Sequence, residues 1–206
     1  QEREAALGSA LSHLPHDKPR FLSGVAGPEA VLAAVAQGVD VLDDAYVAQV
    51  TAGGYALTFP LQPPAPSGSS SEQGQGQGQG GDPQAGADDT KINLWSPVYR
   101  LDKGPLLPGC ACYACARHSR AYLHHLLQTN EMLATVLLEV HNTHHYQAFM
   151  SAVREAIAGG RLAQYRAWFS GLRAAPVQPG QGPGVGVGKR WQEAEREAGG
   201  EAGGDG

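Results

Sequence analysis

The sequence has little cysteine, little methionine and no surplus of positive charge. Its 206 residues include three cysteines and two methionines, and 15 lysines and arginines stand against 20 aspartates and glutamates, a net charge of -5. With a pI near 5.9, the chain has no global cationic excess to hold nucleic acid by counterion release, so any contact with RNA must be local. No apolar run approaches the roughly 18 residues of a membrane helix, and the first residues lack the basic-then-apolar layout of a secretory signal. These absences read as a soluble, intracellular protein. The cysteines make a poor disulfide framework, because an odd number leaves one unpaired and all three fall within residues 110–115. A reducing compartment and a metal suit them better. The chain opens on Gln1 inside what reads as a helix, an opening that suggests a fragment of a longer product.

Large apolar side chains are nearly missing from two stretches, residues 60–90, PLQPPAPSGSSSEQGQGQGQGGDPQAGADDT, and residues 176–206. Such composition buries too little surface to offset chain entropy, so both are expected to be disordered. The Gly-Gln repeat reads as a loop insertion, tolerated because closure entropy grows only slowly with loop length.

What remains forms two blocks, 1–59 and 91–175. In the first, RFLSGV (20–25) reads as a buried strand, GPEAVLAAVAQG (27–38) as a helix with Pro28 in its first turn and Gly38 at its C-cap, and VDVLDDAYV (39–47) as a second strand. A βαβ unit with short links implies a parallel sheet and an α/β fold. A complete (β/α)8 barrel takes about 250 residues, and roughly 140 are left once the two biased stretches are set aside. Only the end of such a barrel fits. A half-barrel of this kind should expose strand edges and aggregate or depend on a partner.

The second block carries the knuckle CACYACARH, with Cys110, Cys112 and Cys115 at C-x-C-x2-C spacing. A tetrahedral metal needs a fourth donor, and His118, His124, His125, His141, His144 and His145 are available. The helical stretch from Ser119 breaks near Thr129 and Asn130, where Thr129 could cap a returning helix with Glu131 in its first turn. At about 1.5 Å per residue, a side chain about eleven residues into the return comes level with the cysteines. That residue is His141; His144 and His145 overshoot by about a turn. The assignment is therefore Zn²⁺ on Cys110, Cys112, Cys115 and His141, a closed and hence structural site. His13, His16 and His118 read as surface residues, and His124, His125, His144 and His145 as packing or hydrogen-bonding ones. Leu133, Val136, Leu137 and Val140 recur at helical spacing and should pack on the barrel or on a partner. Arg117, Arg120 and Arg154 are the best local candidates for phosphate contact.

The pattern C-x-C-x2-C-x25-H, continued through SRAYLHHLLQTNEMLATVLLEVHNTHHY, resembles the zinc subdomain of the tRNA-guanine transglycosylases, the queuine tRNA-ribosyltransferase family. Residues 18–59 resemble the last strands of that family's (β/α)8 barrel. The resemblance implies the C-terminal part of a barrel with an appended zinc-binding helical subdomain. It also implies work on tRNA, whose wobble guanine the family exchanges for a deazaguanine base. In the catalytic form a carboxylate attacks the ribose anomeric carbon, guanine leaves, and the incoming base displaces the carboxylate. Asp43 falls on that nucleophile's position. Strand alternation sends Asp40 and Asp44 to the face opposite Asp43, so the three acids should not share an ion.

Three departures point away from catalysis. Where catalytic members carry Pro-Thr-Arg-Asn-Ala-Arg to touch the anticodon, this chain has Val47, Ala48, Gln49, Val50, Thr51 and Ala52, without a cation. Ser23 stands where those members have a methionine in the base pocket. QVTAGGYALTF (49–59) is similar to the accessory subunit of the eukaryotic heterodimer. The resemblance thus implies a non-catalytic accessory subunit in which Asp43 is a relic, paired with a catalytic homologue or with a second copy of itself. It further implies a cytoplasmic location, with peripheral association at the mitochondrial outer membrane. The rival expectations are a transglycosylase using Asp43 as nucleophile, and an unrelated zinc-stapled interaction module.

Overall fold

The computed structural model describes residues 2–63 and 90–172. The stretches expected to be disordered, 60–90 and 176–206, lie almost wholly outside the described residues. Helix α1 (Glu2–Ser12) leads to strand β1 (Phe21–Leu22), helix α2 (Pro28–Ala36) and strand β2 (Val41–Leu42). β1 and β2 pair in parallel, Phe21 with Val41 and Leu22 with Leu42, so the expected βαβ unit is present. Pro28 opens α2, where a missing N–H costs nothing. Gly38 follows the C-cap Gln37 at φ 91°, a left-handed turn that a Cβ would strain. A closed barrel is not visible among the described residues, whose parallel sheet has these two strands.

Two expectations need correction here. Both strands are two residues long rather than spanning 20–25 and 39–47, because Gly24 at φ 74° turns the chain out of the ladder after Leu22. The run through Val47 is not strand either, since Ala45–Ala52 forms helix α3, with Asp44 at its N-cap. Its buried residues are Tyr46, Val47, Val50 and Thr51, a helical spacing that outweighs the β propensity of the valines.

Strand β3 (Tyr55–Leu57) and strand β4 (Lys91–Asn93) pair antiparallel, so the Gly-Gln insertion falls in the connection between two bonded strands. A 3-10 turn (Pro97–Leu101), capped by Ser96, precedes the knuckle. Helix α4 (Tyr113–Arg117), helix α5 (Arg120–Gln128), helix α6 (Met132–Ala158) and helix α7 (Leu162–Leu172) complete the described chain. The outgoing and returning helices are as expected, but Thr129 does not open the return. It is the C-cap of α5, its hydroxyl donating to the carbonyls of His125 and Leu126, and Asn130 then turns at φ 55° so that Glu131 takes the N-cap position of α6 without a side-chain capping bond.

Two apolar clusters result. One gathers Leu32, Val47, Leu57, Phe59, Phe149 and Phe169, uniting the βαβ unit with α7 and the C-terminal half of α6. The other gathers Ala56, Leu94, Leu106, Leu123, Leu127 and Leu138 around the knuckle. Strand alternation explains the division, because adjacent Ala56 and Leu57 point to opposite faces of β3. The C-terminal half of α6 buries Tyr146, Phe149, Ala152, Val153 and Ala156 in the first cluster.

Candidate metal centre

The chain turns into the knuckle at Gly109, whose φ of 79° suits glycine. Cys112 is the N-cap of α4, and its sulfur accepts a hydrogen bond from the Cys115 backbone N–H at 3.4 Å. Cys112 and Cys115 are buried, while Cys110 is half-buried at the rim. From α6, fully buried His141 brings its Nδ1 to 3.8, 3.5 and 3.4 Å from the sulfurs of Cys110, Cys112 and Cys115. All four donor atoms lie within 4.8 Å of one another. A metal at about 2.3 Å from sulfur and 2.0 Å from nitrogen sets tetrahedral S···N edges of about 3.5 Å, the separation seen here. The Cys3His cluster can hold a metal ion with no donor position left for water.

The surroundings fix the ligand's protonation. His141 Nε2 donates to the Leu57 carbonyl at 2.9 Å, and a carbonyl only accepts, so the proton sits on Nε2 and Nδ1 faces the sulfurs with its lone pair. Burial lowers the His141 pKa, against that hydrogen bond, and keeps the ring neutral as a ligand must be. In the metal-free site Cys115 is pushed up to about 12, by burial first and then by the neighbouring Cys110 and Cys112. A divalent cation reverses this, since it favours the thiolate it binds.

Asn142, which the sequence reading passed over, completes the support. It is fully buried beside His141. Its Oδ1 accepts from Leu57 N at 2.8 Å, and its Nδ2 donates to Tyr55 O at 2.9 Å and Thr51 Oγ1 at 3.0 Å. One turn on, His145 stands edge-on to Phe59 at 4.5 Å, and burial pushes its pKa down to about 4. Side chains of α6 thus bond backbone groups of β3. The signal was available: polar residues at 141, 142 and 145 interrupt the buried stripe of Ala134, Leu138, Phe149 and Val153.

The other histidines divide differently from expectation. His13 and His16 are exposed as expected; His118 is half-buried, stacked on Tyr122 at 5.2 Å. His124 is buried and bonds the Leu94 carbonyl at 2.8 Å, whereas His125 and His144 are exposed rather than packed. Among the arginines, Arg120 is engaged internally, 2.9 Å from Asp102 Oδ2 and 3.2 Å from the Leu106 carbonyl. Arg154 is exposed and bonds Ser151, and Arg117 is exposed at the end of α4.

Asp43 lies just past β2. Its Oδ2 accepts from Ser23 Oγ at 2.6 Å and from Gly24 N at 3.0 Å. These donors, Ser23 first, hold its carboxyl below the ordinary 3.8. Asp40 Oδ2 accepts from Arg20 N at 2.9 Å, at the other end of the same strand pair. Among the described residues, no acidic cluster joins the Cys3His set as a place for an ion. Val47, Val50 and Thr51, in the segment without cations, are core residues of α3.

The sequence profile of queuine tRNA-ribosyltransferases matches residues 1–175. The chain belongs to the queuine tRNA-ribosyltransferase family. Within this family it is similar to proteins named queuine tRNA-ribosyltransferase accessory subunit 2. The one from Homo sapiens is 40% identical over 178 residues, covering 81% of this chain and 43% of that protein. The one from Xenopus laevis is 39% identical over 175 residues, covering 78% and 42%. The one from Ixodes scapularis is 39% identical over 155 residues, covering 75% and 37%. The chain thus spans about two fifths of the length of the curated relatives it matches.

Proposed function

We propose that the chain acts as a non-catalytic accessory subunit, paired with a catalytic queuine tRNA-ribosyltransferase that exchanges guanine for queuine at the wobble position of tRNAs with GUN anticodons. The observation that carries this reading is the state of Asp43. A carboxylate that is to attack an anomeric carbon needs a free lone pair aimed at the substrate. In Asp43 both oxygens accept bonds, from the Ser23 hydroxyl and the Gly24 amide just past β1, and these bonds turn the carboxylate toward that segment. That clamp joins β1 to β2, a structural use of a position where catalytic members carry their nucleophile. The names of the relatives support the same reading, as does the absence of cations from residues 47–52.

The metal is Zn²⁺ in this reading, since three thiolates and one imidazole on a tetrahedral frame suit zinc, and a closed donor set gives it a structural role. It fastens the knuckle to α6 and lends its binding free energy to folding. The partner face lies on the same helix. Of the four apolar residues expected to pack on the barrel or on a partner, only Leu137 is buried within the chain. Leu133, Val136 and Val140 remain exposed, and Met132 beside them is 81% exposed. That stripe would take the catalytic subunit in a heterodimer, or a second copy in its absence. No helix among the described residues is long and apolar enough to cross a membrane, and the proposed site of action is the cytoplasm, with peripheral association at the mitochondrial outer membrane.

The test is co-elution with the candidate catalytic subunit, combined with a base-exchange assay on wobble-guanine tRNA. Exchange is expected only when both are present. Turnover by this chain alone would make it the enzyme, and failure to pair would leave it a zinc-stapled interaction module.

A further inference from the structure

Beside the metal knuckle the surface opens into a concavity of about 540 Å³ lined by Lys103, Cys115, Arg117, His118, Ser119 and Tyr122. A cavity of this size is in the range of small-ligand sites, about 300–1,000 Å³. Tyr113 and Tyr122 are 61% and 38% exposed, and His118 lies between them. Its ring meets Tyr113 edge-on at 5.7 Å and stacks on Tyr122 at 5.2 Å with 18° between planes. The result is a short ladder of three surface rings, of which His118 and Tyr122 line the notch together with Lys103 and Arg117.

The charge pattern is unusual for a chain carrying a net -5. The lining contains no carboxylate. Asp102, next to Lys103 in the chain, is consumed by Arg120 at 2.9 Å and by the Gly104 amide at 2.7 Å. Arg120 therefore acts for the site by neutralising the loop rather than by reaching a ligand. Among the described residues, Lys103 and Arg117 make no ion pair and stay available to an anion.

We propose that this notch binds an unpaired nucleotide of RNA, its base stacked at the His118–Tyr122 end of the ladder and its flanking phosphates at Lys103 and Arg117. A nucleotide uses both features at once, since every base has a π-face and every linkage a negative charge. An acidic peptide would use the cations and leave the ladder idle. The inference rests on the reading of the chain as a subunit that handles tRNA, and it assigns that subunit a contact of its own outside the barrel.

The test is fluorescence anisotropy of a short labelled single-stranded oligoribonucleotide titrated with the metal-loaded chain over a range of salt concentrations. Lys103→Ala with Arg117→Ala is expected to lower the slope of log affinity against log salt by about 1.4, two contacts at about 0.7 each. Tyr122→Leu is expected to weaken binding about tenfold with the slope unchanged. Metal content, measured on each variant, reports that the knuckle is intact. Unaltered affinity and slope in both variants would overturn the notch, as would an acidic peptide outcompeting RNA there. Co-elution with the catalytic subunit is read separately. If it fails while the salt slope responds, the accessory reading falls and the notch stands; if it holds while RNA binding ignores both variants, the reverse is true.

Discussion

At the scale of single residues, the metal site turns on proton balance. Burial and two neighbouring thiols push the Cys115 thiol up to about 12, so it is protonated at neutral pH until a cation displaces that proton. Metal affinity must then rise with pH and fall with acid. Dialysed protein assayed by mass spectrometry is expected to hold about one metal ion per chain at neutral pH and much less near about pH 5. Cys115→Ser or His141→Ala should abolish binding at either pH. Asp43 shows the opposite kind of tuning. Its carboxyl is lowered in the folded chain by Ser23 and Gly24, so its contribution to stability is present above the ordinary 3.8 and is lost as pH falls through the lower folded value. Ser23→Ala removes the largest cause, and an NMR titration of the Asp43 carboxyl carbon should move up toward 3.8. A titration indifferent to Ser23 would remove the clamp from the account of this position.

At the scale of elements, β3 is the piece on which the site depends. Along one side Lys91–Asn93 supplies ordinary antiparallel bonds; toward α6 the backbone groups of Tyr55 and Leu57 are bonded by Asn142 and His141. Strand edges left unpaired are costly and adhesive, and here side chains one helical step apart cover part of one while aiming a metal ligand. Asn142→Ala takes away the acceptor of the buried Leu57 N–H, at a cost of about 1–3 kcal/mol. The expected result is a fall in thermal stability together with roughly tenfold weaker metal retention, because the ligand's supporting strand has been loosened. Loss of stability without any change in metal retention would mean that β3 does not position His141.

The elements also show where the sequence was legible. Cys110, Cys112 and Cys115 announce a metal turn by spacing alone, and the helical rise selects His141 from six histidines because α5 and α6 run side by side. Helix α2 was plain from Pro28 and Gly38. The region 39–52 was not, because Val39, Val41 and Val47 suggest a strand while the decisive spacing, Tyr46 to Val50 and Val47 to Thr51, is helical and set by packing on α6. Thr129 was read as opening a helix, yet threonine serves either end, and its hydroxyl bonds backward to His125. Asn142 breaks the apolar stripe of α6 and was visible as such, but what it bonds is readable only once β3 is in place.

At the scale of the whole molecule, one long helix joins the two cores. The first half of α6 packs the knuckle, the second half packs the βαβ unit, and zinc, in the proposed reading, locks the junction from outside. Packed on both sides, α6 still leaves Met132, Leu133, Val136 and Val140 in solvent. An exposed apolar stripe of this kind marks an interface. Met132→Glu with Val136→Glu should abolish co-elution with the catalytic subunit while leaving metal content and melting temperature unchanged, since neither side chain contributes to a core. Pairing that survives both charges would place the contact elsewhere on the chain.

The most direct measurement of the central claim is the rate of base exchange on wobble-guanine tRNA by the assembled pair, with wild-type chain and with Asp43→Ala. If this subunit is accessory, the two rates agree within about twofold, because a carboxylate clamped between strands takes no part in the chemical step. A loss of several orders of magnitude, with the pair still assembled and the metal still bound, would show that Asp43 is a working nucleophile and that the subunit is itself an enzyme.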